Sequence, residues 1–420
     1  MKTLLLSTDD NNPGAARGAH RLHRSLQRIG VDSQMLVQTK RTDNKQVIGS
    51  PASSGIGQVV TGARLTLDQL PLKLYPHRDR SKYSLQWLPD NINSKVAQLD
   101  PDIINLHWIC SSYLQIETLA KFNKPLVWTL RDMWAFTGGC HYTKDCDRYV
   151  SSCGACPQLG SSKNYDLSRW VWQRKSKAWK NLDLTIVTLS PWLAQCASSS
   201  SLFKDLRIEV IPNGININIY KPIDKKIARD RLNLPQDKKL VFFGAARATS
   251  DKRKGFLQLQ QALQYLNQSW YQEELELVIF GGSRPDNPPQ FGFRDHYLGK
   301  FKDDLSLALI YSAADVFAAP SIQEAFGNTI LEALACAIPC VGFDIGGLPM
   351  MIEHKSNGYL AQPYEIEDLA RGIAWVLENK ERYQKLAYRA REKVQQEFAQ
   401  EIPARRYESL FNDILDKYDR

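Results

Sequence analysis

The chain has 420 residues with a formal charge of +9, 43% hydrophobic and 24% charged, a composition that excludes disorder as the main state and is too long for one ordinary core, so two domains are expected. No run approaches the roughly 18 to 20 apolar residues that span a bilayer, and Leu4 to Leu6 is too short for a signal-peptide core, so a cytoplasmic protein is expected. Residues 1 to 85 hold 13 Lys and Arg against 6 Asp and no Glu. That excess suits a phosphorylated substrate or anionic lipid, and without a zinc-finger, RNP or helix-turn-helix signature, nucleic acid is not an expected partner.

Lys2 to Asp9 reads as a short buried strand, followed by the loop Asp10-Asn-Asn-Pro-Gly14 and a helix with Leu22, Leu26 and Ile29 on one face. Gly14 leaves two readings open: close backbone approach to an anionic ligand at that helix N-terminus, or an ordinary turn glycine. Arg21, Arg24 and Arg28 form a stripe opposite the apolar face, which suits either anionic lipid or plain solvent. Apolar runs follow at Ser33 to Gln38, Ile103 to Trp108, Leu126 to Leu130 and Leu184 to Leu189; a second set comprises Leu240 to Gly244, Leu275 to Phe280, Val316 to Ala319 and Pro339 to Phe343. Strands alternating with helices predict α/β domains with parallel sheets covered on both faces. Turn chemistry at Ile211-Pro-Asn-Gly214 puts the boundary between domains 1–212 and 213–403. Glu365 to Arg420 is helical in pattern; Pro403 is expected to kink it and let a final helix, about 404–420, pack back on the first domain.

Ligands in open parallel sheets bind beyond strand ends, so the loops there carry the candidates. His107 ends one strand, with core and cleft readings both open, while Arg131 and Asp132 begin the polar and aromatic segment that runs to Tyr142. Asp132 is the stronger candidate. Eight of the ten tryptophans lie between Trp87 and Trp192; such rings stack on sugars but more commonly fill cores. Cys140, Cys146, Cys153 and Cys156 have the spacing C-x5-C-x6-C-x2-C, whose last knuckle resembles half of a structural zinc site. Disulfide or redox chemistry and unligated cysteines stay open as alternatives, and His141 is a stand-in ligand.

In the second domain Arg247 and Lys254 follow one strand and are placed to clamp a pyrophosphate, Arg through its fork and Lys as a point charge. Glu324 and Glu332 stand eight residues apart, with Phe326-Gly327-Asn328-Thr329 between them at an expected helix start near Asn328. A diphosphate at that N-terminus would meet free N–H groups and the positive end of the helix dipole, with Glu332 reaching ribose hydroxyls and Glu324 the sugar beyond.

Arg247 with Lys254-Gly255, the run Glu324-Ala-Phe-Gly-Asn-Thr-Ile-Leu-Glu332 and Ile211-Pro-Asn-Gly214 resemble the GT-B glycosyltransferases, in particular retaining family 4. The segment from Thr129 through Pro157 looks like a bacterial polysaccharide-synthesis subgroup, although Arg131 stands where many relatives have His and Met350 where they often have an acid. The resemblance implies two Rossmann-like domains facing across a cleft, the acceptor on 1–212 and the nucleotide sugar on 213–403. Catalysis then falls to Arg247, Lys254 and Glu324; donor binding to Gly14, Phe326, Gly327, Asn328, Thr329 and Glu332; and the acceptor or sugar cleft to His107, Arg131 and Asp132. No catalytic metal is expected, and zinc on the four cysteines would be structural. The function expected is retaining transfer of a sugar from a nucleoside-diphosphate donor to a glycan or lipid-linked acceptor in surface polysaccharide synthesis, with peripheral contact at the inner face of the cytoplasmic membrane. Two alternatives stand beside it. A GT-B nucleotide-sugar epimerase would interconvert donors without acceptor, and a noncatalytic carbohydrate-binding module would turn over none.

Overall fold

The computed structural model describes residues 1–11, 14–51, 55–245, 248–268, 274–301 and 303–418. The chain divides into two compact units, Met1–Pro212 with Pro403–Arg420, and Asn213–Ile402.

The first unit is built on seven parallel strands: β1 (Lys2–Asp9), β2 (Asp32–Lys40), β3 (Val47–Pro51), β4 (Ile103–Leu106), β5 (Leu126–Thr129), β6 (Leu184–Thr188) and β7 (Ile208–Val210). Their order is β3-β2-β1-β4-β5-β6-β7, with Leu5 in register between Met35 and Asn105. The central strands are apolar on both sides because helices cover both faces. On one face Leu5, Val37, Ile103, Val127 and Val187 pack against Leu22 and Leu26 of the Ala15–Arg28 helix and against Ala404, Tyr407, Phe411 and Ile414 of the Glu401–Tyr418 helix. On the other, Trp128 meets Trp179 edge-on at 5.1 Å and lies 6.1 Å from Trp134. These tryptophans are core, each buried.

The second unit has six parallel strands in the order β10-β9-β8-β11-β12-β13. They are β8 (Lys239–Gly244), β9 (Leu275–Phe280), β10 (Arg294–Gly299), β11 (Val316–Ala319), β12 (Cys340–Phe343) and β13 (Gly358–Ala361). Leu259, Leu263 and Leu266 of the Phe256–Asn267 helix and Leu369, Ile373 and Val376 of the Ile366–Glu378 helix cover one face. In each sheet the winding reverses once, between β1 and β4 and between β8 and β11, and at such a switch point the loops leaving the strand C-termini part to leave a crevice.

Two expectations need correction. Four strands have no counterpart among the predicted apolar runs, β3, β7, β10 and β13, and all four are edges of their sheets. The helical break near the C-terminus falls at Ala399 and Gln400, where Ala399 bridges to Ile215, after a single π-helical turn over Val394–Phe398. Pro403 does not kink a helix. It sits in the first turn of the Glu401–Tyr418 helix, where its missing N–H has no intrahelical acceptor to lose.

Phe411 is completely buried, so Phe411→Ala is expected to cost the first unit about 3 to 5 kcal/mol. Denaturant unfolding followed by tryptophan fluorescence checks this, because most of the indoles lie in that unit. An unchanged midpoint would show that the last helix is dispensable to it.

Candidate active site

Three loops of the second unit converge beyond β8, β11 and β12. The first contains a short turn, Lys252–Lys254, capped by the Asp251 carboxylate accepting from the Arg253 N–H at 3.1 Å. It ends at Gly255 with φ +75°, where a Cβ would stand 1.7 Å from the Pro320 carbonyl oxygen, so only glycine lets this loop lie against the end of β11. The Ile322 N–H donates to the Arg253 carbonyl at 2.9 Å and zips the two loops together. The third loop brings the Gly347 N–H to the Glu324 carbonyl at 2.9 Å, and a Cβ on Gly346 would meet that same oxygen at 2.2 Å.

At the meeting point Lys254 Nζ forms an ion pair with Glu324 Oε2. Glu324 is 9% exposed. Burial pushes its carboxyl up, but Lys254 and Arg253 pull harder the other way, and the group is held below the usual carboxylate range. Beside it the Asn328–Ala335 helix starts at Gly327 with φ +103° and no side-chain cap, so the positive end of its dipole faces this position. Asn328 Oδ1 accepts from Asn213 Nδ2 at 2.8 Å. Thr329 is half-buried in the first turn. Phe326 is buried against Phe398, so what it offers is its backbone N–H, turned to the Glu324 carboxylate. Glu332 is also buried, with Oε2 accepting from the Tyr311 hydroxyl at 2.9 Å. Arg247 lies outside the described residues.

The first unit gathers a second group at the ends of β4 and β5. Arg131 Nη2 donates to His107 Nδ1 at 3.0 Å. Burial and then the Arg131 charge hold the His107 pKa well below its usual value, so the neutral ring carries its proton on Nε2, which is buried without a hydrogen-bond partner. Asp132 is engaged on both oxygens: Oδ1 accepts from the Trp134 N–H at 2.9 Å, and Oδ2 accepts from Trp108 Nε1 at 2.9 Å and His141 Nδ1 at 2.7 Å. His141 Nε2 then accepts from Ser84 Oγ at 2.9 Å. With both nitrogens committed to this chain, His141 is not the stand-in metal ligand that its position beside Cys140 suggests. Gly14, with φ +91°, is the uncapped start of the Ala15–Arg28 helix, and a Cβ there would meet nothing within 4 Å.

The four clustered cysteines are free thiols lining one cavity of ≈ 20 Å³ between Tyr83, Gly138 and Tyr149. Cys140, Cys153 and Cys156 are buried and Cys146 is partly exposed. Among the described residues no three His, Cys, Asp or Glu side chains are gathered as ligands ready to hold one ion, so the expected zinc site is not preformed.

Comparison with known proteins assigns the two units. The profile of Glycosyltransferase Family 4 matches residues 13–219, and that of Glycosyl transferases group 1 matches 224–393. The chain belongs to the GT-B glycosyltransferases. It is 31% identical over 179 residues to a D-inositol 3-phosphate glycosyltransferase of Streptosporangium roseum, covering 40% of this chain and 41% of that one. Its matches span about a third to a half of the length of the curated relatives. The fold matches sucrose-phosphate synthase from Thermosynechococcus elongatus with a TM-score of 0.71 at 19% identity, over 99% of this chain and 100% of that one. It also matches Anabaena HepE, solved with UDP and glucose, with a TM-score of 0.61 at 18% identity, over 98% and 99% of the two chains.

For this glycosyltransferase, sequence reasoning gave Lys254 and Glu324 separate duties and missed that they pair with each other. It also missed Ser84, Trp108 and Tyr311, because the partners of these side chains lie 21 to 57 residues away and only the fold brings them close. A carboxyl with a lowered folded pKa stabilises above its unfolded pKa, near 4.3, and the contribution is lost as pH falls through the folded pKa. Lys254→Met removes the stronger of the two charges that hold the Glu324 pKa down and leaves only Arg253 and the Phe326 N–H against burial, so the variant lacks most of this pH-dependent stabilisation. The stability gap between wild type and variant is therefore expected to widen from about pH 4 to about pH 7, measured by denaturant unfolding at each pH. A gap that does not change with pH would dissociate the pair.

Proposed function

We propose that the protein is a retaining glycosyltransferase that moves a sugar from a nucleoside-diphosphate donor to a glycan or lipid-linked acceptor in surface polysaccharide synthesis. The observation that carries this reading is the Lys254–Glu324 pair at the switch point between β8 and β11, beside the uncapped helix that starts after Gly327. An ammonium has three donors, and the pair with Glu324 uses one, leaving two for phosphate oxygens. The structural neighbours solved with UDP and with UDP-glucose support a nucleotide sugar as donor.

In the proposed reaction the bond from the anomeric carbon to the diphosphate breaks and its electron pair leaves with the phosphate oxygen. The acceptor oxygen bonds to the same face of that carbon, and its proton passes to the departing phosphate. Negative charge grows on the diphosphate, so groups fixed beforehand around it lower the barrier without having to reorganise. Lys254, Arg247 and the N–H groups of Gly327 to Thr329 take that role. Glu324 holds the ammonium in place and meets the donor sugar, while Glu332, steadied by Tyr311, serves the ribose. The acceptor belongs to the first unit, near His107, Arg131 and Asp132, where the Trp108, His141 and Ser84 contacts fix the aspartate.

Lys254→Ala is expected to lower kcat by about 10²- to 10³-fold, read by mass spectrometry of donor turnover with lipid-linked sugar acceptors. Near-normal kinetics in a folded variant would remove Lys254 from the site. Calorimetry separates the glutamates: Glu332→Ala should weaken the free diphosphate, and Glu324→Ala the intact sugar donor more than the diphosphate. Equal losses for both ligands in both variants would refute the division.

Among the described residues no helix is long and apolar enough to cross a membrane. Peripheral contact with anionic lipid, at the inner face of the cytoplasmic membrane, is supported by the basic excess of residues 1 to 85 and by the exposure of Val59, Leu67, Leu70 and Leu74 in the same stretch as the exposed Lys73. On Arg21, Arg24 and Arg28 alone the contact would rest on charge, since Leu22 and Leu26 are buried in the core. Sedimentation with anionic liposomes at low salt should exceed that with neutral ones and weaken as salt screens the charges. Equal recovery with both would leave this an ordinary surface.

A further inference from the structure

The Asn328–Ala335 helix, whose start lies beside the Lys254–Glu324 pair, spans eight residues, about two turns, and is too short to keep its place unaided. A single neighbour meets it at both ends. Phe398 is buried in the π-helical turn that follows the Lys380–Lys393 helix and meets Phe326, just ahead of the short helix, with ring centroids 6.3 Å apart. At the far end Arg391, on the Lys380–Lys393 helix itself, donates through Nη1 to the Ala335 carbonyl at 2.7 Å. That carbonyl is one of the last four, which a helix leaves without an N–H of its own.

Arg391 reaches further. Nη1 also donates to the Tyr220 carbonyl at 2.6 Å, and Nη2 to the Ile217 carbonyl at 2.8 Å. The segment 213–220 that carries them is anchored independently: Tyr220 is completely buried with its hydroxyl donating to Asp304 Oδ1 at 2.8 Å, and the Ile215 N–H donates to the Phe398 carbonyl at 2.9 Å. The same segment sends Asn213 to Asn328 at the helix start. Both ends of the short helix are thus tied to one frame, the far end through Arg391. Three carbonyls from two segments suit a planar guanidinium fork, whereas an ammonium on a flexible stem does not span them. The cation also stands at the negative pole of the helix dipole.

We propose that Arg391 is a positioning residue for the donor site, fixing the far end of the Asn328–Ala335 helix so that Glu332 and the first-turn N–H groups stay in register on one nucleoside diphosphate. The role rests on the donor assignment made above. Arg391 holds the end of the helix roughly 12 Å from its start, at 1.5 Å per residue, and acts without touching the diphosphate. Glu332 stands three residues before Ala335, with its carboxylate on the Tyr311 hydroxyl. Freeing the far end lets the helix tilt about its held start, so the displacement is larger at Glu332 than at Asn328. Misplacement by 1 Å can cost as much as about 10²-fold in a site that depends on orientation.

Calorimetry on the full-length chain with uridine, guanosine, adenosine and thymidine diphosphates identifies the nucleotide that binds wild type. For that nucleotide Arg391→Met is expected to raise Kd by about tenfold, and Arg391→Lys, which keeps the charge at the helix end but not the fork, should recover part of the loss. Ile373→Val, a core change under the Ile366–Glu378 helix of the same unit, should lower the unfolding midpoint and leave Kd unchanged, which separates positioning from plain loss of stability. If Arg391→Met does not fold, Arg391→Lys must show the weaker binding by itself. Folded Arg391 variants that bind as tightly as wild type would overturn the role and leave the donor assignment standing. Wild-type protein that binds none of the four diphosphates would overturn the donor assignment and the role with it.

Discussion

A parallel strand cannot return to its neighbour through a tight turn, and every pairing in both sheets of this protein is parallel. Each connection must therefore cross a face of the sheet, and every loop that leaves a strand C-terminus emerges on one edge. Where the winding reverses, two such loops go opposite ways and cannot fill the gap between them. The lysine, the glutamate and the helix start of the second unit come from segments up to 74 residues apart in sequence and are neighbours for that reason alone. The site is a consequence of strand direction before it is a consequence of any side chain.

Placing charge there is costly, and the two units handle the cost differently. Glu324 is kept ionised by a lysine that stands directly on it, with Arg253 behind. Asp132 has no such cation in contact. Burial would raise its pKa, but the His141 ring, the Trp134 N–H and the Trp108 N–H outweigh that, and the carboxyl is held below its usual range. A carboxylate satisfied by neutral donors is rigid rather than reactive, which suits a group that orients a ligand.

What the sequence revealed follows from what burial does to composition. β1, β4, β5, β8, β9 and β11 have neighbours on both sides, so each carries a buried, mostly apolar run that stands out in the sequence. β10 reads Arg-Asp-His-Tyr-Leu-Gly and is partly exposed along most of its length, and β7 is likewise only half-buried, so neither carries a pattern to detect. The same logic governs the site. Glu324, Gly327 and Glu332 were legible because helix starts have a local grammar, and the cysteines because their spacing is local too. The partnership of Lys254 with Glu324, and the path from Asp132 through His141 to Ser84, were not legible, because a side chain's long-range partner leaves no mark in its neighbours along the chain. Pro403 shows the converse: a residue that usually breaks a helix is harmless when it opens one, and only the preceding break at Ala399 decides which it does.

The last helix has a consequence for how the protein is made. Thr129 Oγ1 and the Tyr407 hydroxyl are 2.9 Å apart, and Asn105 Nδ2 donates to the same threonine at 3.0 Å, so a buried polar ladder in the first unit is completed only by a residue 278 positions further on. During synthesis residues 1–212 leave the ribosome first, yet Leu5, Ile103, Val127 and Val187 keep part of one face bare until Tyr407 and Phe411 have been translated. The second unit, whose strands and helices all lie within Asn213–Ile402, can finish folding earlier. The first unit is completed only after the second has been made, and a chain stalled before Tyr407 would present an uncovered apolar sheet to the cell's quality control.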